Sequence, residues 1–197
     1  MPKILAIDPG SVKTAYILLD RETKAPLEFG KILNTEMREE LIAMNFDDIQ
    51  SIQCEFPKPR GQLASTHLFE TVMWIGRYTE LLFDMGYDIE YFDRKDVKMT
   101  ICGTTKANDS QIRSALIDIY GGERIAIGGK KCKTCNGKGY IGRDKTQCHQ
   151  CNGAGVESPK GPLRGISEDV WAALGIAISY IEMQRLKELA PQALNQK

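Results

Sequence analysis

The chain has no apolar run approaching the about 20 residues that a membrane-spanning helix needs, so none is expected in its 197 residues. It also lacks net charge: 26 Lys and Arg face 26 Asp and Glu, and whole-chain electrostatics therefore name no partner. A signal peptide is not expected, because the opening Met1 to Ile7 is short and runs straight into Asp8. A cytoplasmic location follows as the default. What remains, 42% hydrophobic and 26% charged residues, is an ordinary globular balance for one domain with room for an insert.

Charge is uneven along the chain. Between Gly129 and Gly165 stand Lys130, Lys131, Lys133, Lys138, Arg143, Lys145, Lys160 and Arg164, against only Asp144 and Glu157. A basic block on a neutral chain suggests a face for an anionic partner, and a solvated linker is the plainer alternative.

Periodicity outlines the fold. Lys3 to Asp8, ended by Pro9-Gly10, reads as a buried strand and a sharp turn. Thr14 to Asp20 and Leu27 to Leu33 continue it as an antiparallel meander. Asn34 or Thr35 is expected to cap a short helix through Met44. Ser51 to Glu55 reads as a fourth strand, Pro59-Arg60-Gly61 as a loop, and Leu63 to Met85 as a long core helix ended by Gly86. Tyr87 to Phe92 reads as a fifth strand. Asn108 to Gln111 resembles a capping box opening a helix through Tyr120. Ile166 to Leu189 is expected to be a last amphipathic helix, frayed after Pro191. This order describes an α/β fold, a mixed sheet flanked by helices. Residues 1–127 and 163–197 would form that domain, with 128–162 inserted.

Two carboxylates end strands, Asp8 the first and Glu55 the fourth. If those strands are neighbours the two converge, and Asp169, in the expected first turn of the last helix, approaches from above. Three such carboxylates repel one another unless cations hold them. Hard oxygen ligands suit Mg²⁺ or Mn²⁺, and a pair of such ions promotes phosphodiester hydrolysis. Singly, each acid also has a structural reading as a turn, strand-end or helix-dipole residue.

The cysteines are arranged differently. Cys132-Lys-Thr-Cys135-Asn-Gly-Lys-Gly139 recurs as Cys148-His-Gln-Cys151-Asn-Gly-Ala-Gly155. In a cytosolic protein two C-x-x-C pairs read as metal ligands, and four thiolates suit one structural Zn²⁺. The glycines permit positive φ and let backbone amides turn toward sulfur. So small and polar a segment cannot build its own core, and the metal would order it. The repeats resemble the cysteine-rich region of DnaJ chaperones. That likeness stops at these residues, since no H-P-D motif occurs and no chaperone partnership is inferred.

Ile7-Asp8-Pro9-Gly10-Ser11, Glu55 at its strand end, and Asp169-Val-Trp-Ala172-Ala173-Leu174-Gly175-Ile176-Ala177 together resemble the RuvC family of Holliday junction resolvases. Asp93-Arg94-Lys95-Asp96-Val97-Lys98, followed by Gly103, extends the likeness over nearly all of the chain outside the insert. The resemblance implies an RNase H-like five-stranded fold and a homodimer. It also implies a bacterial or bacteriophage source and Mg²⁺- or Mn²⁺-dependent nicking of four-way junctions, with two ions per active site. Asp8, Glu55 and Asp169 match three of the family's four acids. The fourth falls on Ala172, so one ligand is missing, and Asp93 stands as either a substitute or a helix cap. Two further readings therefore stay open: a branched-DNA-binding protein that does not cut, and a broader RNase H-like nuclease on forks or flaps.

Candidate DNA contacts are Phe56, which the resemblance suggests as a junction wedge, and the basic residues Lys58, Arg60, Lys95, Lys98, Lys106 and Arg113, with Lys130, Lys131 and Lys133 in the insert. Trp74, Tyr78 and Phe83 read as core or dimer interface.

Overall fold

In a computed structural model that describes residues 1–58, 65–156 and 160–194, the first apolar run forms β1 (Lys3–Pro9), followed by β2 (Lys13–Asp20) and β3 (Pro26–Leu33). Helix α1 (Asn34–Ala43), β4 (Ile49–Glu55), α2 (Thr66–Asp84) and β5 (Ile89–Phe92) come next. Then follow α3 (Arg94–Cys102), α4 (Asp109–Ile119), α5 (Glu123–Ala126), the short strands β6 (Tyr140–Ile141) and β7 (Thr146–Gln147), and α6 (Val170–Leu194). No helix among the described residues is long and apolar enough to cross a membrane.

The chain divides into two compact units, one of Met1–Ile112 with Ile166–Lys197 and one of Arg113–Gly165. The first unit holds a five-stranded sheet in the order β3-β2-β1-β4-β5. Strands β1, β2 and β3 form the expected antiparallel meander, while β4 runs parallel to β1 and β5 parallel to β4. This is a mixed sheet flanked by helices, the RNase H-like architecture.

Strand alternation sorts the sheet's side chains. Leu5, Ile7, Tyr16, Leu18 and Ile52 share one core cluster with Met37 and Leu41 of α1 and Tyr78 and Leu82 of α2. The alternate residues, Ile4, Ala6 and Asp8 on β1, face the other side. Helix α6 packs there against β1, β2 and β4, and also against α3. Layered on two sides, α6 is buried at every residue from Val170 to Tyr180, as its continuous apolar run requires.

Three boundaries differ from the sequence reading. Helix α1 is capped by Leu33, not Asn34 or Thr35: the Leu33 N–H donates to the Glu36 carboxylate at 3.0 Å. Asn34 instead turns inward, buried, and spends its side chain on tertiary contacts. Helix α6 starts at Val170 instead of Ile166, because Glu168 takes a left-handed φ of 48° that no helix continues through. It also runs past Pro191 to Leu194. Helix α3 was not foreseen; Asp93 caps it, its carboxylate accepting the Lys95 N–H at 2.9 Å. The loop expected at Pro59-Arg60-Gly61, and Arg60 with it, lies outside the described residues. The capping box at Asn108 is present in both directions, through the Asn108 N–H to Gln111 Oε1 at 2.8 Å and the Gln111 N–H to Asn108 Oδ1 at 2.9 Å.

Candidate functional site

The parallel register of β1 and β4 pairs Ile7 with Cys54, so the next residues, Asp8 and Glu55, end their strands abreast. Across β2 and β3 the register runs Asp8–Ala15 and Ala15–Lys31. Lys31, Ala15, Asp8 and Glu55 thus form one row on the α6 face, since directly paired residues share a face. The neighbour assumed for strands one and four is the neighbour found.

The turn after Asp8 is tightly held. The Gly10 N–H donates to Lys13 O at 2.9 Å, and a Cβ on Gly10 would lie 2.7 Å from that same oxygen. The Asn34 amide donates to Gly10 O at 3.0 Å, and its oxygen accepts from the Thr14 hydroxyl at 2.8 Å. The buried Tyr78 hydroxyl completes the network, 3.0 Å from Thr14 Oγ1 and donating to Asn34 O at 3.2 Å. Tyr78 is accordingly a core residue of α2.

Asp169 is not inside the first turn of α6 but caps it: Asp169 O accepts from the N–H groups of Ala172 at 2.8 Å and Ala173 at 3.2 Å. Asp169 and Ala172 nevertheless line one narrow cleft, together with Arg94, Asp109, Ile112, Glu168 and Trp171. Lys31 Nζ reaches Asp169 Oδ2 and Glu168 Oε2, both at 2.8 Å. Those bonds hold the ammonium above its ordinary pKa.

Burial, then the charge of Glu55, pushes the Asp8 carboxyl up to about 8, with Asp169 and Asp109 adding to the rise and Arg94 opposing it. Arg94 Nη1 donates to Glu55 Oε2 at 3.1 Å and Nη2 to Asp109 Oδ1 at 2.7 Å. Burial works against the guanidinium's charge, but these two carboxylates outweigh it and keep Arg94 above its usual pKa. Hard carboxylate oxygens suit a divalent cation, and Asp8, Glu55 and Asp169 are the residues that would hold it. Yet no three carboxylates among the described residues bring their oxygens within 4.8 Å of one another. Lys31 pairs with Asp169 and Arg94 with Glu55. These two cations and Asp109 are the site residues that sequence reasoning missed. Lys31 was recoverable from sheet register; Arg94 and Asp109 meet only through the fold.

Other candidates are placed as follows. Phe56 packs edge-on to Tyr91 with ring centroids 5.3 Å apart. Lys58 pairs with Asp93 at 3.3 Å, and that contact, with the Lys95 N–H, gives Asp93 a capping role. Lys95 and Lys106 are exposed and Lys98 half-buried; Lys130, Lys131 and Lys133 are exposed in the second unit.

That second unit contains the only group of three or more His, Cys, Asp or Glu side chains, among the described residues, spaced to hold a metal: Cys132, Cys135, Cys148 and Cys151, all buried. Cys132 and Cys148 sulfurs are 3.9 Å apart and those of Cys135 and Cys151 3.7 Å. A tetrahedron with Zn–S bonds of about 2.3 Å has edges of about 3.8 Å, so the set fits zinc. Backbone amides turn toward sulfur as expected, Gly139 N–H to Cys135 Sγ and Gly155 N–H to Cys151 Sγ, each at 3.3 Å. The two repeats are structural twins. Asn136 and Asn152 take φ of 49° and 48°, and Cys132 N–H to Gly155 O at 3.0 Å mirrors Cys148 N–H to Gly139 O at 2.9 Å. A Cβ on Gly139 would collide with Gly153 O, and one on Gly155 would lie 2.6 Å from Gly137 O, so each repeat needs its glycine.

No protein-family model matches the sequence, and no curated protein does. Among solved structures, RuvC of Thermus thermophilus is similar at a TM-score of 0.62 and 13% identity, covering 94% of this chain and 96% of that one. T. thermophilus RuvC in complex with a Holliday junction substrate is similar at a TM-score of 0.58 and 14% identity, covering 95% and 97%. The likeness is one of fold.

Proposed function

We propose that this protein is a structure-specific endonuclease that hydrolyses phosphodiesters in branched DNA, four-way junctions foremost. The carrying observation is the Asp8–Glu55 pair at the ends of adjacent parallel strands, capped by Asp169, on the fold of a protein whose solved forms include a junction complex. Residues 1–127 and 163–197 serve as the nuclease domain, and 128–162 as a zinc module whose lysines meet phosphates.

Asp8, Glu55 and Asp169 would hold Mg²⁺ or Mn²⁺, which supplies Lewis-acid stabilisation of the phosphate and a more acidic water. Glu55 and Asp8 would orient the attacking water from the sheet, and Asp169 would close the site from the start of α6. Lys31 fixes Asp169 by an ion pair at 2.8 Å. Lys58, Lys95, Lys98 and Lys106 of the first unit are candidate phosphate contacts, as is Arg60, and Phe56 is the candidate base contact.

The protein acts as a homodimer in this reading. Support comes from the apolar groove between α2 and β5, lined by Phe56, Val72, Ile75, Phe83 and Tyr91, with Phe69 and Phe83 66% and 70% exposed. Apolar surface of this kind marks association sites. A second reading, a junction-binding protein that does not cut, is favoured by Ala172, where the resemblance expects an acid.

Single-turnover cleavage of a synthetic four-way junction with Mg²⁺ or Mn²⁺, run beside a fork and an RNA–DNA hybrid, tests these readings. Paired nicks in the junction that disappear in Glu55→Gln support the first. Tight junction binding by wild type with no nicking supports the second.

A further inference from the structure

We propose that Arg94 is a catalytic residue, a built-in cation that takes the place of a second divalent ion, so that the site works with one ion and one guanidinium. The inference rests on the nuclease reading above. Three observations carry it.

First, one acid of the expected set is missing: position 172 is Ala, and no three carboxylates among the described residues are gathered as the four cysteines are. Second, Arg94 already stands beside the acids. It is the first residue of α3, one position beyond its cap and just past Phe92, the β5 partner of Glu55. From there its side chain reaches back so that one guanidinium bridges Glu55 at 3.1 Å and Asp109 at 2.7 Å. The inner contact is sheltered, with Glu55 18% exposed, whereas Asp109 is 81% exposed. The outer N–H can therefore exchange Asp109 for an incoming phosphate oxygen while the inner one stays on Glu55. Third, Ala172 lines the same cleft as Arg94. A carboxylate and a divalent ion together carry one net positive charge; Arg94 beside Ala172 carries the same.

In the reaction, the water oxygen bonds to phosphorus and releases its proton to solvent. The bond from phosphorus to the leaving oxygen breaks, that oxygen keeps the electron pair, and it is protonated by solvent water. Arg94 transfers no proton. Its outer N–H donates to a non-bridging oxygen as negative charge builds there, while the inner one stays on Glu55. Lys31 is poorly placed for this role, since both of its contacts tie it to Glu168 and Asp169.

The test combines metal counting with rates. Electron paramagnetic resonance at saturating junction is expected to find one Mn²⁺ per chain in wild type and in Arg94→Ala. Arg94→Ala should lose at least about a hundredfold in single-turnover rate, roughly 2.7 kcal/mol. Added guanidinium ion should restore at least tenfold, and urea, its neutral isostere, should not. Arg94→Ala combined with Ala172→Asp should bind two Mn²⁺ and regain much of the rate. Two Mn²⁺ in wild type, an Arg94→Ala rate equal to wild type, or a loss that guanidinium leaves untouched would each overturn the proposal. In those cases wild type still cuts and only Arg94's role is lost; if wild type cuts no branched DNA, the nuclease reading falls and Arg94's role with it.

Discussion

The two candidate metal sites are built in opposite ways. The four cysteines lie within 20 residues, on two copies of one eight-residue unit, and their backbone geometry repeats hydrogen bond for hydrogen bond. The acid centre draws Asp8, Lys31, Glu55, Arg94, Asp109 and Asp169 from six elements or their ends. Its geometry comes from sheet register, from a left-handed Glu168 and from the buried Thr14–Asn34–Tyr78 network. A local site depends on its ligand for order; a distributed site depends on the core that surrounds it. The contrast predicts that the first is lost by removing a ligand atom, and the second keeps its fold when its chemistry is removed.

The largest effect should come from Cys132→Ser. Structural zinc contributes roughly 10–16 kcal/mol of apparent binding energy, so its loss should leave the Cys-rich segment protease-sensitive. Metal analysis should drop from one Zn per chain to none, while far-UV circular dichroism of the sheet and helices changes little. If zinc content is unchanged, the ligand assignment is wrong.

Next comes the acid centre. Glu55→Gln should lower junction cleavage at least about a thousandfold, near 4 kcal/mol of barrier, with the melting temperature almost unmoved. A variant that melts far below wild type would make Glu55 a structural residue and erase the contrast.

Smaller again is Asn34→Ala, which strips the side-chain partner from the buried Thr14 hydroxyl and from Gly10 O. Leaving buried polar groups unpaired costs about 1–3 kcal/mol. Because Asn34 also holds Gly10 O, beside Asp8, the variant should cut more slowly as well as unfold at lower urea. Normal stability would show that the network is dispensable.

The smallest change should follow from neutralising Lys130, Lys131 and Lys133 together. Each phosphate contact contributes about 0.9 to the salt slope of duplex binding. Junction affinity should fall about tenfold at low salt, and the slope should flatten by up to about three contacts' worth. An unchanged slope would put the DNA elsewhere.

How much was legible beforehand followed the same divide. The meander, the long helix, the capping box at Asn108 and the gathering of the four cysteines were readable because each is written in neighbouring residues. The cap of α1 was misplaced by one residue because Asn34, a favoured capping residue, is claimed by Thr14 and Gly10, contacts invisible in local sequence. The start of α6 was misplaced because a left-handed glutamate carries no propensity signal. Asp93 was read as either ligand or cap, and the Lys95 N–H and Lys58 Nζ give it the cap.

By itself, the sequence determined the five strands, their alternating faces, the two acids at strand ends and the four-thiolate cluster, since periodicity and short spacing act over a few residues. Only the tertiary structure decided which charges meet. Lys31 reaches Asp169 across 138 positions of chain and Arg94 joins Glu55 to Asp109 because register, α3 and the start of α6 bring them within hydrogen-bonding distance. Coulomb attraction depends on that distance in space, and separation along the chain does not encode it.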